Sequence, residues 1–161
     1  MTALLVMASY SYAAEGEAKK SFTLDVDYAA AVEWANSPAA EALSTRGGRL
    51  EIIEKKGDTV KLKARTLKGV MIFTIRESIT QSKDAWYYES KLVSCEQGGI
   101  TFQIIKVTIS KKTDSTVQVD MYAKVTLDDS LGITDLQLKF DLRRNLARAQ
   151  RTLEREIEKN K

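Results

Sequence analysis

TDLQLKFDLRRNLARAQRTLEREIEK, residues Thr134 to Lys159, is the longest stretch of the chain without a turn signal, and its reading decides the fold. Thr134 and Gln137 stand at capping-box spacing, which marks a helix start. Leu138, Leu142, Leu146, Ala149, Leu153 and Ile157 then step by three or four and form one apolar stripe along a helix. Leu136, Leu138, Phe140 and Leu142 also alternate, a pattern that alone suggests a strand, but the Arg- and Ala-rich continuation favours the helix. In a helix, Leu136 and Phe140 lie on a flank about 160° from Leu138. The first half is then apolar on two sides: one packs on a sheet, and the other points into a cavity or under a covering loop.

Upstream of this helix the chain reads as strands. Val117, Val119, Met121, Ala123, Val125 and Leu127 alternate with Gln118, Asp120, Tyr122, Lys124 and Thr126, giving a strand with one dry and one wet face. Turn signals at Gly57-Asp58, Lys68-Gly69, Ser82-Lys83-Asp84, Gly98-Gly99 and Thr113-Asp114 divide the chain from Arg49 onward into six strands. Before them, Phe22, Leu24 and Val26 alternate with polar residues as a first strand over Ser21–Val26. A short helix over Tyr28–Ala35 follows, and Ser37-Pro38 caps a second that runs to about Leu43 before the Gly47-Gly48 break. The slip of alternation between Ile104 and Ile105 predicts a β-bulge there, with both halves of that strand facing the core; the alternative is a strand covered on both faces.

The 161 residues suit one domain, and no repeat or linker divides them. The formal charge is +3, with no basic stripe, so no nucleic-acid partner is expected. Histidine is absent, which excludes a His general base, Ser/His and Cys/His nucleophilic pairs and imidazole metal sites. The lone Cys95 forms no internal disulfide and reads as a small buried hydrophobe. No metal, cofactor or catalytic residue is assigned. Met1–Ala13 carries no charge, contains the apolar run Ala3–Ala8 and ends in Ser11-Tyr12-Ala13, a signal-peptidase pattern. Residues 1–20 are therefore expected to be an export signal with a short tail, in a periplasmic or secreted protein, and residues 21–161 the domain. If the segment is not a signal, the protein is cytoplasmic.

The order of elements is α+β, with only the terminal helix available to cover the dry face of the sheet. This order, with the Ser21-to-Leu43 opening and the Thr134–Lys159 helix, resembles the START-like superfamily, also called SRPBCC or Bet v 1-like. The resemblance implies a helix-grip fold: a curved seven-stranded antiparallel sheet wrapped around a long C-terminal helix, with two short helices between strands one and two. It also implies an apolar cavity, since such proteins bind lipids, sterols, polyketides or other hydrophobic molecules. Some are cyclases, and the metal-bearing oxygenase branch requires histidines that this chain lacks.

Alternation places Met71, Phe73 and Ile75 on one face of the Val70–Glu77 strand, assigned inward, and Trp86, Tyr88, Ser90 and Leu92 on the uncharged face of the next. Apolar walls with a few placed hydroxyls are what a small-molecule pocket needs. The expected site is therefore Met71, Phe73, Ile75, Trp86, Tyr88 and Ser90 on the sheet, facing Leu138, Phe140 and Leu142 on the helix. The alternative is that the same side chains fill a closed core. Glu77 and Glu89 are on neighbouring strands and read as solvated surface charges. Arg46, Arg49 and Arg65 read likewise, with an anionic headgroup as the other partner, and Arg143, Arg144, Arg148, Arg151 and Arg155 with Glu154, Glu156 and Glu158 as a solvated helix face.

The expectation is an exported carrier for a hydrophobic small molecule or lipid, with transient membrane contact and oligomeric state left open. The alternatives are a cyclase or dehydratase using Tyr88 as a weak acid with a carboxylate, and an interaction module with a filled core.

Overall fold

The computed structural model describes residues 13–38, 40, 50–66 and 69–158. Strand β1 (Ala14–Leu24) leads into α1 (Tyr28–Ala35). The strands β2 (Leu50–Lys56), β3 (Thr59–Thr66), β4 (Gly69–Gln81), β5 (Ala85–Cys95), β6 (Ile100–Lys111) and β7 (Val117–Leu127) follow. A 3-10 turn at Asp129–Leu131 then delivers the chain to the long helix α2 (Asp135–Glu158). The strands form one seven-stranded sheet in the order β1-β7-β6-β5-β4-β3-β2, every pair antiparallel. The architecture is the expected α+β helix-grip; four of the five turn signals fall between two strands, and at the fifth Gly69 opens β4 while Lys68 lies outside the described residues.

Caps fix the helix starts. The Gln137 N–H donates to Thr134 Oγ1 at 3.3 Å and the Thr134 N–H to Gln137 Oε1 at 3.0 Å, the reciprocal pair of a capping box. Asp27 caps α1 by accepting from the Ala30 N–H at 2.9 Å. The Ala40 N–H donates to Ser37 Oγ at 3.3 Å, as the second short helix requires, and the rest of that helix lies outside the described residues.

Two expectations need correction. The first strand starts at Ala14 rather than Ser21 and pairs with β7 without interruption, from Ala14 opposite Leu127 to Leu24 opposite Val117. Ala, Gly, Glu and Lys are poor strand formers, so propensity conceals this half. What holds it is burial: Ala14 and Ala18 are buried beneath the helix, and a Cβ on Gly16 between them would meet Leu138 Cγ at 2.6 Å and Leu142 Cδ1 at 3.0 Å. The second correction concerns β6. Its register shift lies between Ile100 and Phe102, not between Ile104 and Ile105. From Phe102 onward the alternation is unbroken, so Ile105, Val107 and Ile109 face the helix while Phe102, 44% exposed, and Ile104 point to the outer face.

The inner face divides into separate dry regions. One joins α1 (Ala31, Val32), Trp86, Val117, Val119 and the far end of α2 (Leu146, Leu153, Ile157). A second joins Val60, Leu62, Met71, Phe73 and Ile75 on β3 and β4. A third, at the start of α2, joins Leu138 with Ala14, Val125 and Leu127. Gly16→Val is expected to destabilise the protein by about 1–3 kcal/mol in urea unfolding, the usual cost of overpacking. An unchanged unfolding midpoint would show that the helix does not press on β1 there.

Candidate functional site

Register across the sheet defines the row of side chains at the middle of the inner face. Glu77 on β4 is opposite Ser90 on β5, Ser90 is opposite Ile105 on β6, Ile105 opposite Ala123 on β7, and Ala123 opposite Ala18 on β1. In the next row Ile79, Tyr88, Val107 and Met121 face the same way. Side chains alternate strictly along a strand, so Glu77 is an inner-face residue and not the outward surface charge that its neighbour Arg76 suggests. Arg76 points outward and pairs with Asp58 at 3.3 Å. Glu89 is on the outer face as read, where Lys91 at 2.6 Å, and then Lys106 at 3.2 Å, hold its carboxyl below the usual range.

A polar cluster results. The Tyr88 hydroxyl donates to Glu77 Oε1 at 2.6 Å, a short charge-assisted bond, and Lys55 Nζ approaches Glu77 Oε2 to 4.0 Å from the edge strand β2. Ser90, beside them, is 1% exposed, and its hydroxyl has no hydrogen-bond partner among the described residues. The Glu77 side chain keeps 27% of its surface although β4 is an interior strand. Tyr88, Leu92, Ile105 and Val107 around it, and Leu142 and Ala149 on α2, are only half-buried. Water therefore reaches Glu77 on the inner face, while Tyr88, Ile105, Val107, Leu142 and Ala149 are partly buried against the neighbouring core. A carboxylate is costly in a closed core, and Glu77 keeps its contact with water.

The expected site residues separate into three groups. Tyr88 and Leu142 are half-buried on the inner face, and Ser90 is fully buried there between Glu77 and Ile105. Trp86 is in the dry region beneath α1, where its Nε1–H donates to Asn36 Oδ1 at 3.1 Å and its ring stacks on Tyr88 with centroids 6.3 Å apart. Met71, Phe73 and Ile75 are buried in the β3–β4 region, and Leu138 is buried over β1, so these four are packing residues in the ligand-free chain. Phe140 is not an inner wall: it is 63% exposed, beneath the Arg144 guanidinium at 5.8 Å, because its flank of the helix turns away from the sheet. Leu136, 79% exposed, shares that side. Sequence reasoning missed Glu77, Ile105 and Val107. The alternation that places Met71, Phe73 and Ile75 inward continues to Glu77 on the same strand, a signal masked by its charge and by the neighbouring Arg76.

A groove of about 300 Å³ opens at the end of the sheet where α2 begins, lined by Gly69, Val70, Met71, Gln97, Gly98, Ser130 and Leu131. Asp128 shapes it, accepting from the Ser130 hydroxyl and from the Gly99 N–H at 2.5 Å; these bonds hold its carboxyl below the usual range. Met71 and Leu131 also pack in the β3–β4 region, so the groove abuts the inner face. Arg65 is exposed, and Arg46 and Arg49 lie outside the described residues. Among the described residues no group of three or more His, Cys, Asp or Glu could hold a metal.

Because the Ser90 hydroxyl is buried without a partner, Ser90→Ala is expected to leave the ligand-free protein as stable as before or to raise its stability by up to about 1–3 kcal/mol. Tyr88→Phe, which removes a charge-assisted bond, is expected to lower it by about 1.5–3 kcal/mol. Thermal unfolding of the two variants checks both. A loss with Ser90→Ala would mean that the hydroxyl has a partner after all.

Neither a protein-family model nor a curated protein matches the sequence. Solved structures do resemble this fold. A START superfamily protein from Mycobacterium smegmatis is 12% identical, with a TM-score of 0.66 over 90% of this chain and 99% of that one. Norcoclaurine synthase from Thalictrum flavum, in complex with dopamine and hydroxybenzaldehyde, is 10% identical, with a TM-score of 0.61 over 92% and 90%. Ara h 8.0201 is 12% identical, with a TM-score of 0.54 over 91% and 97%. Together with the strand order and the gripped helix, these likenesses give the chain the START-like, Bet v 1-like helix-grip fold.

Proposed function

We propose that the protein is a binding or carrier protein for a hydrophobic small molecule or lipid, held between the middle of the sheet and α2. The observation that carries this reading is the half-buried, mixed lining of that space. Leu92, Ile105, Val107 and Leu142 supply apolar wall, and Glu77, Tyr88 and Ser90 supply a compact polar spot. A guest that buries the walls gains about 25 cal/mol for each Å² of apolar surface removed from water, and the polar spot fixes its orientation. The groove beside Met71 and Leu131 is the proposed entrance. The fold supports the same reading, since norcoclaurine synthase of this fold is known in complex with two small aromatic molecules.

Export is part of the proposal. The Ser11-Tyr12-Ala13 pattern immediately precedes Ala14, where β1 begins, so cleavage after Ala13 would keep the whole strand. One observation favours a second reading, an enzyme of the cyclase or dehydratase type. The Tyr88–Glu77 bond at 2.6 Å is a weak acid joined to a base on the inner face, the geometry that proton transfer to a bound substrate needs.

Protein purified from its own host is expected to release an apolar molecule on solvent extraction, visible as a mass shift in native mass spectrometry. Adding the same molecule back at about 100 times its Kd should stabilise the protein by about 2.7 kcal/mol. A protein that carries nothing and shows no thermal shift across a lipid panel would be an interaction module with a filled core. Turnover lost in Tyr88→Phe with binding retained would identify the enzyme.

A further inference from the structure

The chemistry of the inner face narrows what the guest carries at its polar end, an inference that rests on the carrier reading. Glu77 is opposite Ser90 on neighbouring interior strands, and its Oε1 already accepts the Tyr88 proton at 2.6 Å. The polar spot is thus built on a carboxylate, an acceptor without a proton to give. Among the described residues Lys55 is the cation paired with it, from the edge strand at 4.0 Å from Oε2, with 46% of its side chain in solvent, where an ion pair is weak. Lys20 is also in an inward register position, but on β1, with β7, β6 and β5 intervening, roughly 19 Å from β4 at about 4.8 Å per strand. Ser90 adds a hydroxyl that is 1% exposed and lacks a partner, beside the carboxylate.

The geometry points to a guest whose polar end is a hydrogen-bond donor, a hydroxyl or an amine, seated on Glu77 and completing the hydrogen bonding of Ser90. A carboxylate-ended guest, such as a fatty acid, is disfavoured: its oxygens would face the Glu77 oxygens in a partly desolvated space, where like charges repel. This selectivity opposes the overall charge. At +3 the chain as a whole attracts anions, so any preference against a carboxylate must arise locally.

Isothermal titration of the intact protein at pH 7 with 1-decanol, decylamine and decanoate, which share one chain and differ only at the head, tests the inference. The alcohol and the amine are expected to bind at least about tenfold more tightly than decanoate. Glu77→Gln, nearly isosteric at a position that water already reaches, is expected to narrow the gap to less than about threefold, mainly by improving decanoate. Decanoate binding as tightly as the other two, or an unchanged ratio in Glu77→Gln, would overturn the donor assignment while leaving the carrier reading standing. If none of the three binds, the carrier reading falls and the assignment falls with it.

Discussion

The close approach of α2 to β1 governs the architecture. Ala14, Gly16 and Ala18 present almost no side chain to the helix, so Leu138 and Leu142 settle onto the strand where a Cβ on Gly16 would collide. The lengths match: 24 helical residues and 11 strand residues each span about 36 Å. The capping box at Thr134, and the Glu15 N–H donating to Asp135 Oδ1 at 2.8 Å, set the helix start beside the beginning of β1. The start of a helix drawn down on the edge strand in this way lies over β1 and β7 and not over the middle of the sheet.

That geometric compromise accounts for the distribution of burial. Dry regions form where something lies directly over the sheet: α1 and the far end of α2 over β5–β7, the start of α2 over β1 and β7, and the β3–β4 side chains packed on one another with Leu131. Between them, interior strands β4, β5 and β6 carry half-buried side chains and a carboxylate. A charged group survives there because water or a guest solvates it; dehydrated, it would cost several kcal/mol. The polar spot is therefore a consequence of where the helix sits.

Much of this was legible in the chain. The terminal helix was readable because its apolar stripe and its capping box are independent signals that agree. The inward face of β5 was readable because Trp86, Tyr88, Ser90 and Leu92 carry no charge while the other face does. The first half of β1 was not, since Ala14-Glu15-Gly16-Glu17-Ala18 lacks the large apolar residues by which a strand is recognised, and its smallness has meaning only once the helix is above it. Glu77 was misread for a related reason: its neighbours in sequence are polar, while its neighbours in space are set by pairing with Ser90 and by Tyr88, both on another strand. Phe140 has an apolar side chain on an apolar flank, yet the flank faces solvent, because the stripe of Leu138 and Leu142 takes the position over the sheet.

A crystal structure of the protein as isolated from its host decides whether a guest occupies the inner face. The expected result is a space between α2 and the middle of β4–β6 that holds a guest or ordered water in contact with the Glu77 carboxylate. A dry, filled interface there with no room for a guest, and Glu77 turned out to bulk solvent, would overturn it.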